Sequence, residues 1–263
     1  DSSTSRGLGD VYKRQLPESA RFLAARQAPA SQIAAALAKL GGRFAAGTRF
    51  IVSEPTTQHK APARQLFSER YRLGTLALWL TYFMGLLVIY LTMGWLPTLL
   101  RDGGLSIERA ATITGLFQIG GAVGAIVVGW IMDRRNPNRV IAIAYALGGL
   151  CIVSLGALSL ESSLLVVGVA AAGFCMSGAQ TGLNAFAPGY YPTEFRATGV
   201  SWMLGIGRFG AIFGSLIGGA VLSLGLGLPL LFTLLGLPAF AAALAILANG
   251  HARLRATPAV TAP

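Results

Sequence analysis

Charge is scarce in this 263-residue chain. Asp, Glu, Lys and Arg together supply 12% of residues, against about 25% in an ordinary soluble domain. With 54% hydrophobic residues and a mean hydropathy of +0.61, the composition argues against a soluble globular enzyme. Cysteine is nearly absent, and Cys151 and Cys175 both lie inside apolar runs. Neither a disulfide framework nor a cysteine metal cluster can be built from them, and they read as small packing residues. Acidic residues are missing where intramembrane chemistry would need them. Those after Leu73 are Asp102, Glu108, Asp133, Glu161 and Glu194, all at or beyond the end of an apolar run, and neither His59 nor His251 falls inside one. The usual parts of a proton relay are therefore not in these runs. A His-Glu-x-x-His helix is also missing, as is an embedded serine with its base, so no enzyme activity and no cofactor are expected.

What is present is apolar length. About 20 mostly apolar residues cross about 30 Å of hydrocarbon at about 1.5 Å each. Six segments meet that test: Leu73 to Leu100, Ala110 to Met132, Val140 to Leu160, Ser163 to Ala187, Thr198 to Ser223 and Leu228 to Ala248. The expected fold is an all-α membrane protein with six transmembrane helices. Six spans put both chain ends on one side. That side collects 18 of the 21 basic residues, while the other has Arg101 and Arg109. By the positive-inside rule both termini are cytoplasmic. The net charge of +11 is thereby explained by topology, and a nucleic-acid partner is not expected.

The domain plan has four parts. Residues 1–15 begin with Asp, are polar and lack periodicity, and read as a non-native or a disordered tail. Residues 16–72 form a cytoplasmic segment. In it, Ser31 precedes Ile33, Leu37 and Leu40 at helical spacing before Gly41 and Gly42, which predicts a short amphipathic helix. The membrane domain runs from 73 to 250, and 251–263 make a cytoplasmic tail.

Arg208 is the charge inside a span. About ten residues into the fifth, it lies roughly 15 Å deep, where an uncompensated charge costs at least about 2.5 kcal/mol. It must face protein, water or a ligand anion. Ser201, Gly205 and Ser215 share its stripe, as expected of a cavity wall. Pairing with backbone carbonyls or with an acid on another chain is the alternative.

In the fourth span Ser177, Gln180, Thr181 and Asn184 follow i, i+3, i+4, i+7 spacing, a polar face able to meet a solute hydroxyl or carboxylate or to bond neighbouring helices. Trp79, Tyr82, Phe83 and Tyr90 make an aromatic stripe in the first span, with Tyr82 a candidate contact and lipid or core packing the plainer reading. Gln118 in the second span is a further polar candidate. Gly120 with Gly124, and Gly210 with Gly214 and Gly218, stand at the four-residue spacing of close helix contacts.

Two charged clusters mark the cytoplasmic ends. In the segment Gly129 to Arg139, Asp133 sits at the unfavourable negative end of a helix and requires a cationic or helix N-terminal partner. Tyr191-Pro-Thr-Glu194-Phe-Arg196 leads into the fifth span. Approach of Asp133 to that span's N-terminus, with Arg134, Glu194 and Arg196 joining, would make a gate; ordinary positive-inside anchoring is the alternative.

The Gly129 to Arg139 segment resembles the G-x-x-x-D-R-x-G-R-R loop of the major facilitator superfamily, with Asn136 and Asn138 where glycine and arginine are expected. The stretches Tyr191 to Gly210 and Leu78 to Tyr90 are similar to those of its aromatic acid:proton symporters, such as 4-hydroxybenzoate carriers. The stretch from Leu16 resembles their central cytoplasmic loop. The resemblance implies the C-terminal half of a twelve-helix fold built from two three-helix inverted repeats, in a bacterial inner membrane. It further implies an aromatic carboxylate as substrate, a proton as coupling ion, and the remaining six-helix half as partner, with Asp133, Arg196 and Arg208 at positions important for transport. Other readings are a carrier of sugars, drugs or metabolites, a six-helix protein working as a dimer, and an inert membrane interaction module.

Overall fold

A computed structural model gives the fold. It describes residues 23–24, 28–38, 48, 63–159, 162–192, 195–223 and 227–256, with the backbone alone at 63, 221–222 and 251–256. The expectations for 1–15, the Leu16 stretch, Gly41-Gly42, Glu161, Glu194 and the last residues of the tail lie outside these. The chain divides into two units, Asp1–Lys60 and Ala61–Pro263. In the first, α1 (Ala30–Ala38) carries the expected amphipathic pattern with Ile33 buried.

Among the described residues, the second unit holds six helices long and apolar enough to span a bilayer. They are α2 (Arg72–Asp102), α3 (Ile107–Met132), α4 (Pro137–Leu155), α5 (Ser163–Tyr190), α6 (Arg196–Ser223) and α7 (Leu228–Ala256). The protein is an all-α integral membrane protein. Its helix starts are chemically marked. Ser106 accepts from the Arg109 amide, Ser162 from that of Leu164, and Asn136 from those of Asn138 and Arg139, with Pro137 at the first turn. Between α2 and α3 the chain turns through Gly104 at φ 104°, a conformation that a Cβ disfavours. Short connections leave consecutive helices antiparallel.

Several expected boundaries move. The third span stops at Leu155, where Gly156 caps it, not at Leu160. The fourth continues through Pro188 to Tyr190, and the sixth continues past Gly250 to Ala256, so the start of the expected tail is helical. Proline is tolerated inside such helices because neighbouring helices and local adjustments re-satisfy the freed carbonyls. The membrane unit also begins before residue 73. A 3-10 helix, Ala63–Phe67, packs on α2 and α6 and buries Leu66 completely.

Packing follows an exchange rule. The largest interfaces are α3 with α5, α2 with α6, α4 with α7, α2 with α7 and α4 with α5. Exchanging α2 with α5, α3 with α6 and α4 with α7 maps this set onto itself. That is the signature of two three-helix repeats, inverted because each contains an odd number of spans.

The two largest interfaces are made by the same device. Cβ atoms at Gly120 and Gly124 of α3 would collide with the carbonyls of Ala170 and Phe174 on α5. Cβ atoms at Gly210 and Gly214 of α6 would collide with those of Phe83 and Leu87 on α2. Helices in lipid lack a hydrophobic driving force for association, so such close backbone approach supplies much of the dispersion energy. Gly214→Leu is therefore expected to destabilise the bundle by at least about 2 kcal/mol, read as a lowered thermal unfolding midpoint in detergent. Gly94→Ala, in open space, is expected to leave the midpoint unchanged.

Candidate functional site

Helix ends provide a depth scale. Arg72, Arg134, Arg135, Arg139 and Arg196 all lie at one end of the bundle, here the basic end. At about 1.5 Å per residue, Tyr145 lies about 12 Å in from it, Tyr82 and Gln180 about 15 Å, Arg208 about 18 Å and Gln118 about 21 Å. All five occupy the middle of the hydrocarbon.

Arg208 is exposed on α6. Ser201, Gly205 and Ser215 are exposed on the same stripe, and nothing lies within 4 Å of where a Gly205 side chain would begin. Trp202, Phe209 and Phe213 are exposed on a separate sector, roughly 120° round the helix. Arg208 thus shares its face of α6 with these small residues and with exposed Leu204 and Ile212 on either side of it, and at this depth lipid cannot cover the guanidinium cheaply. One residue earlier, Gly207 abuts the ring of Tyr82, so the buried tyrosine stands beside the arginine position.

The glycine interfaces relate Gln118 to Arg208. Each stands two residues before the first glycine of its pair, Gly120 or Gly210, and the helix exchange carries one onto the other. Gln118 is also exposed, with Ala111, Gly115 and Ala122 exposed beside it. The bundle therefore presents two equivalent mid-depth polar side chains, one cationic and one amide.

The polar face expected on α5 divides. Thr181 and Asn184 are exposed, whereas Ser177 is half-buried and packs against Gly121. Gln180 is not open to a solute: it is 7% exposed, and its Oε1 accepts a 2.6 Å bond from the Tyr145 hydroxyl on α4. Both side chains lie against Gly85 of α2, where a Cβ would collide with them. Gln180 Nε2 is buried without a partner among the described residues. Helical spacing alone could not reveal that the next helix covers this edge of the stripe. Tyr145 was missed because a single hydroxyl in an apolar span makes no periodic pattern; its flanking Ala144, Ala146, Gly148 and Gly149 were the available signal of a closely packed tyrosine.

The aromatic stripe on α2 divides as well. Tyr82 is buried, Phe83 meets Phe213, Tyr90 is exposed, and Trp79 stacks on Trp202 of α6 at 6.0 Å. Trp79 begins a cluster at the basic end. Tyr71 meets Tyr190 and Phe195 edge-on, and Tyr191 meets Tyr190 and Phe195. Beneath it the Thr75 hydroxyl, Trp79 Nε1 and the Tyr191 hydroxyl are buried without completing a well-formed hydrogen bond. Burial raises the Tyr191 phenol above its ordinary range, an effect partly offset by the adjacent Thr75 and Trp79 side chains. Asn249 of α7 closes the region by donating to the Gly74 carbonyl at 2.9 Å.

The charged residues expected to form a gate are not joined to one another. Asp133 caps α3 through its backbone and is exposed, with no ion pair to a described residue. Arg134 turns away from it. Its Nη1 donates to the Trp130 carbonyl at 3.2 Å and its guanidinium stacks 4.0 Å over the Trp130 ring. Arg196 Nε donates to the Tyr191 carbonyl at 3.2 Å. Glu194 lies outside the described residues. Aromatic packing and arginine-to-carbonyl bonds, not ion pairs, hold the described part of this end.

Paired inverted triplets, with an arginine exposed at mid-depth, define a two-repeat membrane bundle. The chain belongs to the Major Facilitator Superfamily, whose family profile matches residues 29–163 and 78–261. It is 99% identical over 248 residues to a gallate transporter of Pseudomonas putida, an alignment covering 94% of this chain and 55% of that protein. It is 47% identical over 245 residues to a 4-hydroxybenzoate transporter of Pseudomonas aeruginosa, covering 92% of this chain and 55% of that one. A 3-(3-hydroxy-phenyl)propionate transporter of Escherichia coli shares 37% over 170 residues, 65% of this chain and 42% of the relative. The chain thus spans about half the length of these curated relatives.

Removing the Tyr145 hydroxyl tests the buried pair. Tyr145→Phe leaves both ends of the Gln180 amide unsatisfied and is expected to cost about 1–3 kcal/mol. Adding Gln180→Leu should recover part of that loss, a coupling that a double-mutant cycle of thermal unfolding in detergent would read.

Proposed function

We propose that this chain is the C-terminal half of a twelve-helix carrier that moves aromatic carboxylates across a bacterial inner membrane, and that it catalyses no reaction. The observation that carries the reading is Arg208, an exposed guanidinium on α6 at mid-bilayer depth. A planar guanidinium matches a carboxylate through two parallel hydrogen bonds and is strengthened by the low dielectric around it. The relatives named for gallate and 4-hydroxybenzoate supply the substrate class. Tyr82 packs against Gly207 and backs the arginine position, and Gln118, with Asn184 and Ser177 on α5, can donate to or accept from ring hydroxyls. Gln180 acts from behind, holding α4 and α5 together through Tyr145.

The substrate then sits between this bundle and a second six-helix half, and rocking of the halves alternates access to a midplane site. Proton coupling needs a titrating group within the membrane, and the described helices carry their acids only at their ends, Asp102 and Glu108 among them. The carboxylate that takes the proton therefore belongs to the partner half. Contacts made across the basic end as the halves close would draw on Asp133, Arg134, Glu194 and Arg196. The 18-to-2 partition of basic residues supports a cytoplasmic location for both chain ends.

In a form carrying both halves, Arg208→Ala is expected to lower initial uptake of labelled gallate and 4-hydroxybenzoate by about 10- to 100-fold, with Arg208→Lys only partly restoring it. Uptake that survives Arg208→Ala unchanged would remove the carboxylate-anchor role. Gln118→Leu should act differently, by narrowing the preference for hydroxylated over unsubstituted benzoate in competition assays by about tenfold.

A further inference from the structure

Away from the Arg208 face, α4 and α7 enclose a groove of about 520 Å³, within the usual size range of small-molecule sites. Its lining is two matched stripes, each at i, i+3, i+4, i+7 spacing: Arg139, Ala142, Ile143 and Ala146 from α4, and Phe240, Ala243, Leu244 and Leu247 from α7. Neither α3 nor α6, the helices bearing Gln118 and Arg208, contributes to it.

The groove has a direction. Because the two helices run antiparallel, Arg139 at the start of α4 lies level with Leu247, toward the end of α7, and Ala146 lies level with Phe240 about 10 Å deeper. Ala142 and Ala243 are buried and form the floor, while Ile143 and Leu244 stand as walls, 58% and 68% exposed. Apart from the arginine, every lining residue is apolar.

Arg139 is exposed at the mouth, and its guanidinium makes no hydrogen bond or ion pair with a described residue. Its backbone amide alone is engaged, by the Asn136 cap. This is an unneutralised cation at headgroup level above an apolar trough that runs toward the bilayer centre. A ligand complementary to both parts has an anionic head and a hydrocarbon tail. A basic pocket between transmembrane helices is the kind of place where anionic headgroups are held.

We propose that the α4–α7 groove is a binding site for an anionic phospholipid, whose phosphate pairs with Arg139 and one of whose acyl chains lies between Ala142, Ala146 and Ala243. The site differs from diffuse attraction to a charged membrane surface. Arg134 and Arg135 belong to the same connection but do not line the groove, and Arg134 is occupied with Trp130.

The test uses the 263-residue chain, delipidated in neutral detergent and titrated with phosphatidylglycerol or phosphatidylcholine of the same acyl composition, with bound lipid counted by native mass spectrometry. The expected result is tighter binding of phosphatidylglycerol, weakened about fivefold by Arg139→Gln and far less by Arg135→Gln, with phosphatidylcholine affected by neither. Ala146→Phe, which fills the inner end of the trough, should weaken both lipids while circular dichroism and unfolding midpoint stay unchanged. Equal losses for Arg139→Gln and Arg135→Gln would mean nonspecific charge attraction and overturn the site. So would full phosphatidylglycerol affinity in either Arg139→Gln or a folded Ala146→Phe.

Discussion

Backbone meeting backbone is the constraint on which this bundle rests. In lipid, apolar side chains gain little by leaving their surroundings for one another, so helices hold together where they can approach most closely. Gly120 and Gly124 let α3 settle on carbonyls of α5, and Gly210 and Gly214 let α6 settle on carbonyls of α2. Those two contacts set the register of the pairs. The register in turn places Gln118 and Arg208 at equivalent mid-depth positions, turned away from the glycine faces. The buried Tyr145–Gln180 pair fits because Gly85 leaves room for it, so a third helix pays for its polar contact with a missing side chain.

The same packing separates two kinds of surface. Around α6, Arg208 and its neighbours, with Leu204 and Ile212 beside it, stand apart from the aromatic sector of Trp202, Phe209 and Phe213, so one helix has a side that carries a polar group and another suited to hydrocarbon. At the basic end a layer of aromatic rings from α2, α5, α6 and the preceding connection covers buried hydroxyl and indole groups. Rings with a polar tip suit the depth where water gives way to lipid. Their edge-on contacts tie the start of α6 to the end of α5 within the second repeat, and Tyr71 joins the start of α2, in the first repeat, to both.

Much of this was legible in the sequence, for a physical reason. A bilayer requires about 20 apolar residues per crossing and tolerates few charges, so six spans and their shared end could be read from composition and from the placement of arginine. The glycine spacing foretold close contacts, though not which helices would meet. Span ends were less legible, because Pro188 and Gly250 signal termination in water but are absorbed by neighbouring helices here. The 3-10 helix at Ala63–Phe67 was too short and polar to register, although Leu66 is fully buried. Among candidate site residues, the exposed ones, Arg208, Gln118 and Asn184, were readable as polar groups that lipid would not accept. For Gln180 the spacing left solute contact and interhelical bonding both open; the partner that bonds it here, Tyr145, is distant in sequence and carries no pattern. No Arg134–Asp133 contact forms in the described part of the basic end: Arg134 finds its partner one turn back, in Trp130, through stacking and a carbonyl.

The exchange symmetry of the helices has a consequence for biosynthesis. Turned upside down, the bundle would present nearly the same interfaces, with α2 and α5, α3 and α6, and α4 and α7 trading places. Packing energy is therefore almost blind to which way the protein is threaded, and the inserting machinery receives little guidance from the folded core. The sense of insertion must be written in the few arginines of the short connections, and their loss would leave a well-packed molecule with no preferred polarity.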